Sequence, residues 1–97
     1  MKIDFTAPIR DLKGKPILDG EQALTLKSVA TNALLAADPD EKTSGEDKMQ
    51  RFKLALEIEN ADTPLDLKVE QVATLKLLVA RLYVPLVVGR AYEIFDA

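Results

Sequence analysis

The stretch VATLKLLVARLYVPLVVG, residues 72–89, most constrains what this chain can fold into, because it is the densest apolar run in the sequence. Val69, Val72, Ala73, Leu75, Val79 and Leu82 recur at helical spacing, and Leu77, Leu78 and Ala80 fill much of the remaining circumference. Glu70, Thr74 and Arg81 make a narrow polar stripe, with Lys76 apart from it. So apolar a helix predicts a central element, and residues 67–95 are expected to form a buried spine that the rest of the chain covers. Pro85 interrupts the run. Its ring clashes with the preceding turn, so a break is expected from Leu82 to Val84. Either a short last helix follows, about Pro85 to Asp96, bringing Val87, Val88, Ala91, Ile94 and Phe95 back to the core, or one long kinked helix runs through.

A chain of 97 residues fits a single domain with one core. Within it, residues 1–24 read as a β-hairpin region and residues 25–97 as a helical region. Ile3 and Phe5 alternate with Asp4 and Thr6, the period of a half-buried strand. Asp11-Leu12-Lys13-Gly14 suits a type I turn with Gly14 at positive φ, joining strands near 7–12 and 15–18. Pro8 and Pro16 lack an N–H and belong on an edge or at a strand end. Asp19-Gly20 is a second turn, after which Gln22 to Leu24 suit a short third strand.

Thr25 is placed to cap a helix whose apolar positions are Leu26, Val29, Ala30, Ala33, Leu34 and Ala37, with Asp38-Pro39 as its stop. After a polar loop, Ser44-Gly45-Glu46-Asp47 matches a capping box, and its two acids favour the positive helix end. The helix that follows is expected to turn Met49, Phe52, Leu54, Ala55, Leu56 and Ile58 inward on a wide face. Lys48, Arg51, Lys53 and Glu57 then point outward, and the helix stops near Asn60 to Asp62. For the next helix either Thr63 is the cap, with Pro64 at the first helical position, or Asp66 caps it after a short extended piece.

Composition removes several function classes. The sequence has no cysteine and no histidine, so thiolate nucleophiles, disulfides, soft-metal ligands and the commonest neutral-pH base are missing together. Its only serines are Ser28 and Ser44, and Ser44 is already needed as a cap. Asp38 and Asp40 alternate as in a calcium loop, but Lys42 occupies the fifth position, Thr43 stands where the sharp-turn glycine is needed, and Met49 replaces the bidentate glutamate. The carboxylate pairs Glu57 and Glu59, and Glu93 and Asp96, read as surface charges. No enzyme activity, cofactor or metal is expected.

The net charge of −3 is spread without a long block of one sign, and Lys48, Arg51 and Lys53 are flanked by Glu46, Asp47, Glu57 and Glu59. Binding to a polyanion draws on clustered basic residues, so nucleic acid is not the expected partner. The longest unbroken apolar run, Leu82 to Val88, is too short to span a bilayer, and the first residues carry no run of signal-peptide length. No membrane partner is expected, and solubility in the cytoplasm is the default. Tyr83, Pro85, Val88, Arg90 and Tyr92 are the candidate interface, because tyrosine and arginine are favoured at protein contacts and the carboxyl-terminal apolar surface is large. The competing expectation makes both tyrosines core residues with hydroxyls at the rim.

The strings DLKGKPI, TLKSVATNALL, SGEDKMQRFKLALEI and YVPLVVGRAYEI together resemble short proteins encoded by tailed phages and prophages that lack an assigned role. The resemblance spans nearly the whole chain, but its motifs are turns, caps and core positions, so no functional residue is carried over. It implies a phage accessory protein in the bacterial host cytoplasm, acting in morphogenesis or on a host factor. The expected fold is α+β, an N-terminal β-hairpin packed on about four α-helices. The expected function is non-enzymatic protein–protein contact, with a homo-oligomer among the outcomes. The alternative is a small DNA-binding regulator using helices near 44–60 and 68–82.

Overall fold

The computed structural model describes residues 1–36 and 42–97. Ala37, the Asp38-Pro39 stop and the Asp38 and Asp40 pair lie outside the described residues. The fold is α+β and mostly helical. Its helices are α1 (Leu26–Leu35), α2 (Gly45–Glu59), α3 (Val69–Leu82) and α4 (Pro85–Phe95), and its strands β1 (Lys2–Ile3), β2 (Leu18–Asp19), β3 (Gln22–Ala23) and β4 (Leu65–Asp66).

The strands form two small antiparallel sheets, β1 with β4 and β2 with β3. Asp19 pairs with Gln22 across Gly20, whose φ of +68° suits the first central position of a tight hairpin turn. The expected strands near 7–12 and 15–18 shrink to a bridge between Arg10 and Pro16, flanked by bonds from the Ile17 amide to the Ile9 carbonyl and from the Asp11 amide to the Lys15 carbonyl. The two prolines explain this shortening, since neither donates to a ladder. The Asp11–Gly14 turn is present as expected, with Gly14 at φ +85° and the Asp11 carboxylate accepting from the Lys13 and Lys15 amides.

Helix α1 is held at its first turn by the segment before it. The Leu26 amide donates to the Ala7 carbonyl and the Lys27 amide to the Phe5 carbonyl, while the Thr25 hydroxyl accepts from Ser28 N–H. Amides that a helix start leaves without partners are thereby satisfied. The Ser44 hydroxyl does the same for Asp47 N–H at the start of α2.

Neither Thr63 nor Asp66 caps α3. Leu65 and Asp66 pair with β1, so the extended alternative holds, but the cap position falls to Lys68, whose N–H donates to the Gln71 side chain. The Met1 ammonium donates to the Asp66 carboxylate and the Leu67 carbonyl, which fastens the chain start to this corner. After Leu82 the chain is extended at Tyr83 and Val84, and α4 opens on Pro85. The kinked-helix alternative is thereby excluded.

The most fully buried helix is α1, not α3. It packs against both α2 and α3, and α4 packs on α3. Leu26, Val29, Ala30, Ala33 and Leu34 are buried, and even Thr31 is buried, its hydroxyl donating to the Lys27 carbonyl. The expectation of a covered spine at 67–95 is corrected accordingly. Helix α3 buries Val72, Leu75, Leu78 and Val79 but leaves Val69, Leu77 and Leu82 about half exposed or more. The reason is size. Small residues on α1 let α2 and α3 approach closely, whereas α1 and α4 together cover only part of the circumference of α3.

Helix α4 returns Val87, Ala91 and Phe95 to the core, with Val88 and Ile94 half-buried against it. Phe95 meets Phe5 edge to face at 6.5 Å between ring centres. That contact joins the last helix to the first strand region.

Candidate functional site

Helix α2 carries two apolar stripes. At about 100° per residue, Leu54 and Ile58 fall close together, with Ala55 beside them, while Met49, Phe52 and Leu56 centre on the roughly opposite side. Leu54, Ala55 and Ile58 are buried against α1. Met49, Phe52 and Leu56 are 52%, 48% and 47% exposed, which corrects their expected place on the inner face. One helix lying on one neighbour cannot bury both stripes. The signal was in the sequence, as six apolar residues spread over too much of the circumference for a single contact.

The outer stripe continues onto α1. Leu35 is exposed at the end of that helix, and with Thr31, Phe52, Ala55, Leu56 and Glu59 it lines a shallow cavity of about 230 Å³. Apart from Glu59 at its edge and the hydroxyl of Thr31, its lining is hydrocarbon and an aromatic ring. Such a surface offers chiefly contact area and shape, with the Glu59 carboxylate as the one ionisable group in its lining.

On the other flank of α2 a wider groove of about 430 Å³ runs between α2 and α3. Leu34, Leu54 and Leu77 line it, and Asp47, Arg51 and Glu70 bring charge to it. Arg51, expected to point outward, is half-buried there. Lys48 and Lys53 are exposed among the exposed Glu46, Asp47, Glu57 and Glu59, so the helix presents mixed charge.

Of the residues expected to form an interface, Pro85, Val88 and Tyr92 share one stripe of α4 at helical spacing, Arg90 lies off that stripe, and Tyr83 precedes the helix. Tyr83 is half-buried, and its hydroxyl accepts from the Asn32 side chain of α1 at 3.1 Å. Tyr92 donates from its hydroxyl to the Lys76 carbonyl of α3 at 2.9 Å. The Lys76 ammonium lies 5.2 Å from the centre of the Tyr92 ring and pairs with the Asp96 carboxylate. Arg90 donates to the Asp11 carbonyl at 2.8 Å and to Glu93 at 3.1 Å, tying α4 to the hairpin. Val88 packs on the core, and Pro85 is exposed beside the exposed Val84. Tyr92 and Arg90 therefore hold α4 to α3 and to the hairpin, while Tyr83, at the end of α3, is tied to α1.

Glu57 and Glu59 are both exposed, as are Glu93 and Asp96, the latter two engaged by Arg90 and Lys76 respectively. Among the described residues, two carboxyls are held below their usual range. Asp66 is lowered by its hydrogen bond from the terminal ammonium and then by that group's charge, and Asp4 by hydrogen bonds from the Thr6 hydroxyl and amide. Both sit at the surface. Among the described residues no group of three or more His, Cys, Asp or Glu is arranged to hold a metal ion, and no helix is long and apolar enough to cross a membrane. The chain matches no family model, no curated protein and no solved structure.

Proposed function

We propose that this chain is a non-enzymatic contact protein, working through the apolar surface beside α2, and that it belongs with the accessory proteins of tailed phages that its sequence resembles. It would act in the cytoplasm of a bacterial host, in particle assembly or on a host factor. The observation that carries this reading is the outer stripe of α2. Met49, Phe52 and Leu56, together with Leu35 of α1, leave large apolar side chains about half exposed on one continuous face. Single exposed leucines are ordinary, but a contiguous apolar face rimmed by charge is the usual mark of a docking surface.

The chemistry of the chain supports contact over catalysis. Without histidine or cysteine, reactivity would have to come from carboxylates, lysines or hydroxyls. The two carboxyls with displaced pKa are pushed toward the charged form at the surface, the opposite of the raised pKa a general acid needs.

The test uses the chain as bait in phage-infected bacteria, beside Phe52→Asp and Leu56→Asp variants checked for folding by circular dichroism. A specific protein retained by the wild type and lost from both folded variants is the expected result. Equal recovery by all three, or no specific protein with any of them, overturns the reading.

A further inference from the structure

We infer that the braced turn at Asp11–Gly14 is a second docking point, one that seats Leu12 in an apolar hollow ringed by carboxylates on another protein. It is a different element from α2 and goes beyond the reading of the α2 stripe.

Leu12 is 86% exposed, more than any other large apolar side chain among the described residues. Arg10, Lys13 and Lys15, all exposed, flank it in sequence. Neither a leucine in water nor a surface lysine is unusual alone. What sets this tip apart is how firmly it is held. The Asp11 amide donates to the Lys15 carbonyl at 2.7 Å and the Gly14 amide to the Asp11 carbonyl at 3.1 Å. One Asp11 carboxylate oxygen accepts from the Lys13 and Lys15 amides, Arg10 donates to the Gly14 carbonyl, and Arg90 reaches from α4 to the Asp11 carbonyl. None of these bonds uses the Leu12 side chain or either ammonium. The backbone is fixed while an apolar group and two cations are left to solvent, an arrangement that lowers the ordering cost of docking.

Charge identifies the partner. Arg10, Lys13 and Lys15 against Asp11 leave the tip at +2, in a chain of net charge −3. Among the described residues Lys13 and Lys15 have no ion-pair partner, and Glu93 is taken by Arg90. The next acids along the chain, Asp19 and Glu21, belong to the following turn, and Asp19 lies about 13 Å from Lys15 at roughly 3.3 Å per residue. A surface that meets this tip gains most by being acidic around an apolar hollow. Three cations are too few to hold a polyanion such as DNA, and one leucine is too little hydrocarbon to anchor on a bilayer. A rigid mount also matters little to a fluid bilayer and much to a protein pocket of fixed shape. A single turn buries less than a standard interface, so the contact is weak and salt-sensitive.

Photocrosslinking captures a contact of that kind. The full chain carries p-benzoylphenylalanine in place of Leu12 in phage-infected bacteria, with the same group in place of exposed Thr63 as the control. Light should join the chain modified at Leu12, and not the control, to one protein, identified by mass spectrometry of the adduct. Reversing both cations, Lys13→Glu with Lys15→Glu, should lower the adduct yield about tenfold. The circular dichroism spectrum should be retained, because both lysines serve the turn through their amides. With the purified protein so identified, Leu12→Asp should weaken binding about tenfold, and lysine substitution of the acids at the crosslinked site should restore binding to the charge-reversed chain. An adduct with nucleic acid or lipid, no adduct at Leu12, the same adduct at Thr63, or a yield unmoved by charge reversal overturns the inference. Retention of a protein through Phe52 and Leu56 is a separate result, so failure here leaves the α2 reading standing.

Discussion

Phe5 and Phe95 lie near opposite ends of the chain and are both fully buried, edge to face. Truncating Phe95 to alanine removes the ring contact and opens a cavity, which should lower unfolding free energy in urea by about 3–5 kcal/mol. The polar contacts of α4 are smaller in scale. Tyr92→Phe deletes the bond to the Lys76 carbonyl and should cost about 1 kcal/mol without altering sedimentation, as befits a residue that fastens α4 to α3. Acid acts on Asp4 and Asp66. Their folded pKa values lie below the unfolded ones, so their stabilisation is present above the unfolded value and is lost as pH falls through the folded one. The thermal midpoint should therefore drop as pH goes below about 4, and less steeply in the Asp4→Asn, Asp66→Asn double variant.

Local chemistry settles most element boundaries. Thr25 and Ser44 cap their helices through their hydroxyls, and Pro85 opens α4 after two extended residues. Ser44→Ala should destabilise by about 1 kcal/mol, read from the denaturation midpoint. Gly20 holds φ +68° with open space where a Cβ would go, so Gly20→Ala should cost about 1–2 kcal/mol through backbone strain alone. These features were readable in the sequence because a cap or a turn needs only residues a few positions apart. The β1–β4 pair was not, since Lys2–Ile3 meets Leu65–Asp66 only once the helices between them have packed. The phase of α2 was half readable. Its two stripes are visible in the spacing, but which of them α1 covers is decided by packing.

For the whole molecule, apolar density proved a poor guide to centrality. The richest stretch, residues 72–89, leaves Leu77, Leu82 and Val84 about half exposed or more, while the short α1, with its alanines, is the most fully buried helix. A small domain has more apolar side chains than its interior can hold, and the excess appears on a surface. The composition makes that excess visible from sequence, but its position depends on which faces the helices turn to each other. The contact face beside α2 is tested most directly by methyl NMR of the chain with and without the protein it retains from phage-infected bacteria. Resonances of Leu35, Met49 and Leu56 should move together on binding, while Tyr83 and Tyr92, observed through their rings, stay fixed. Movement confined to α4, or no movement at any site, would contradict the account.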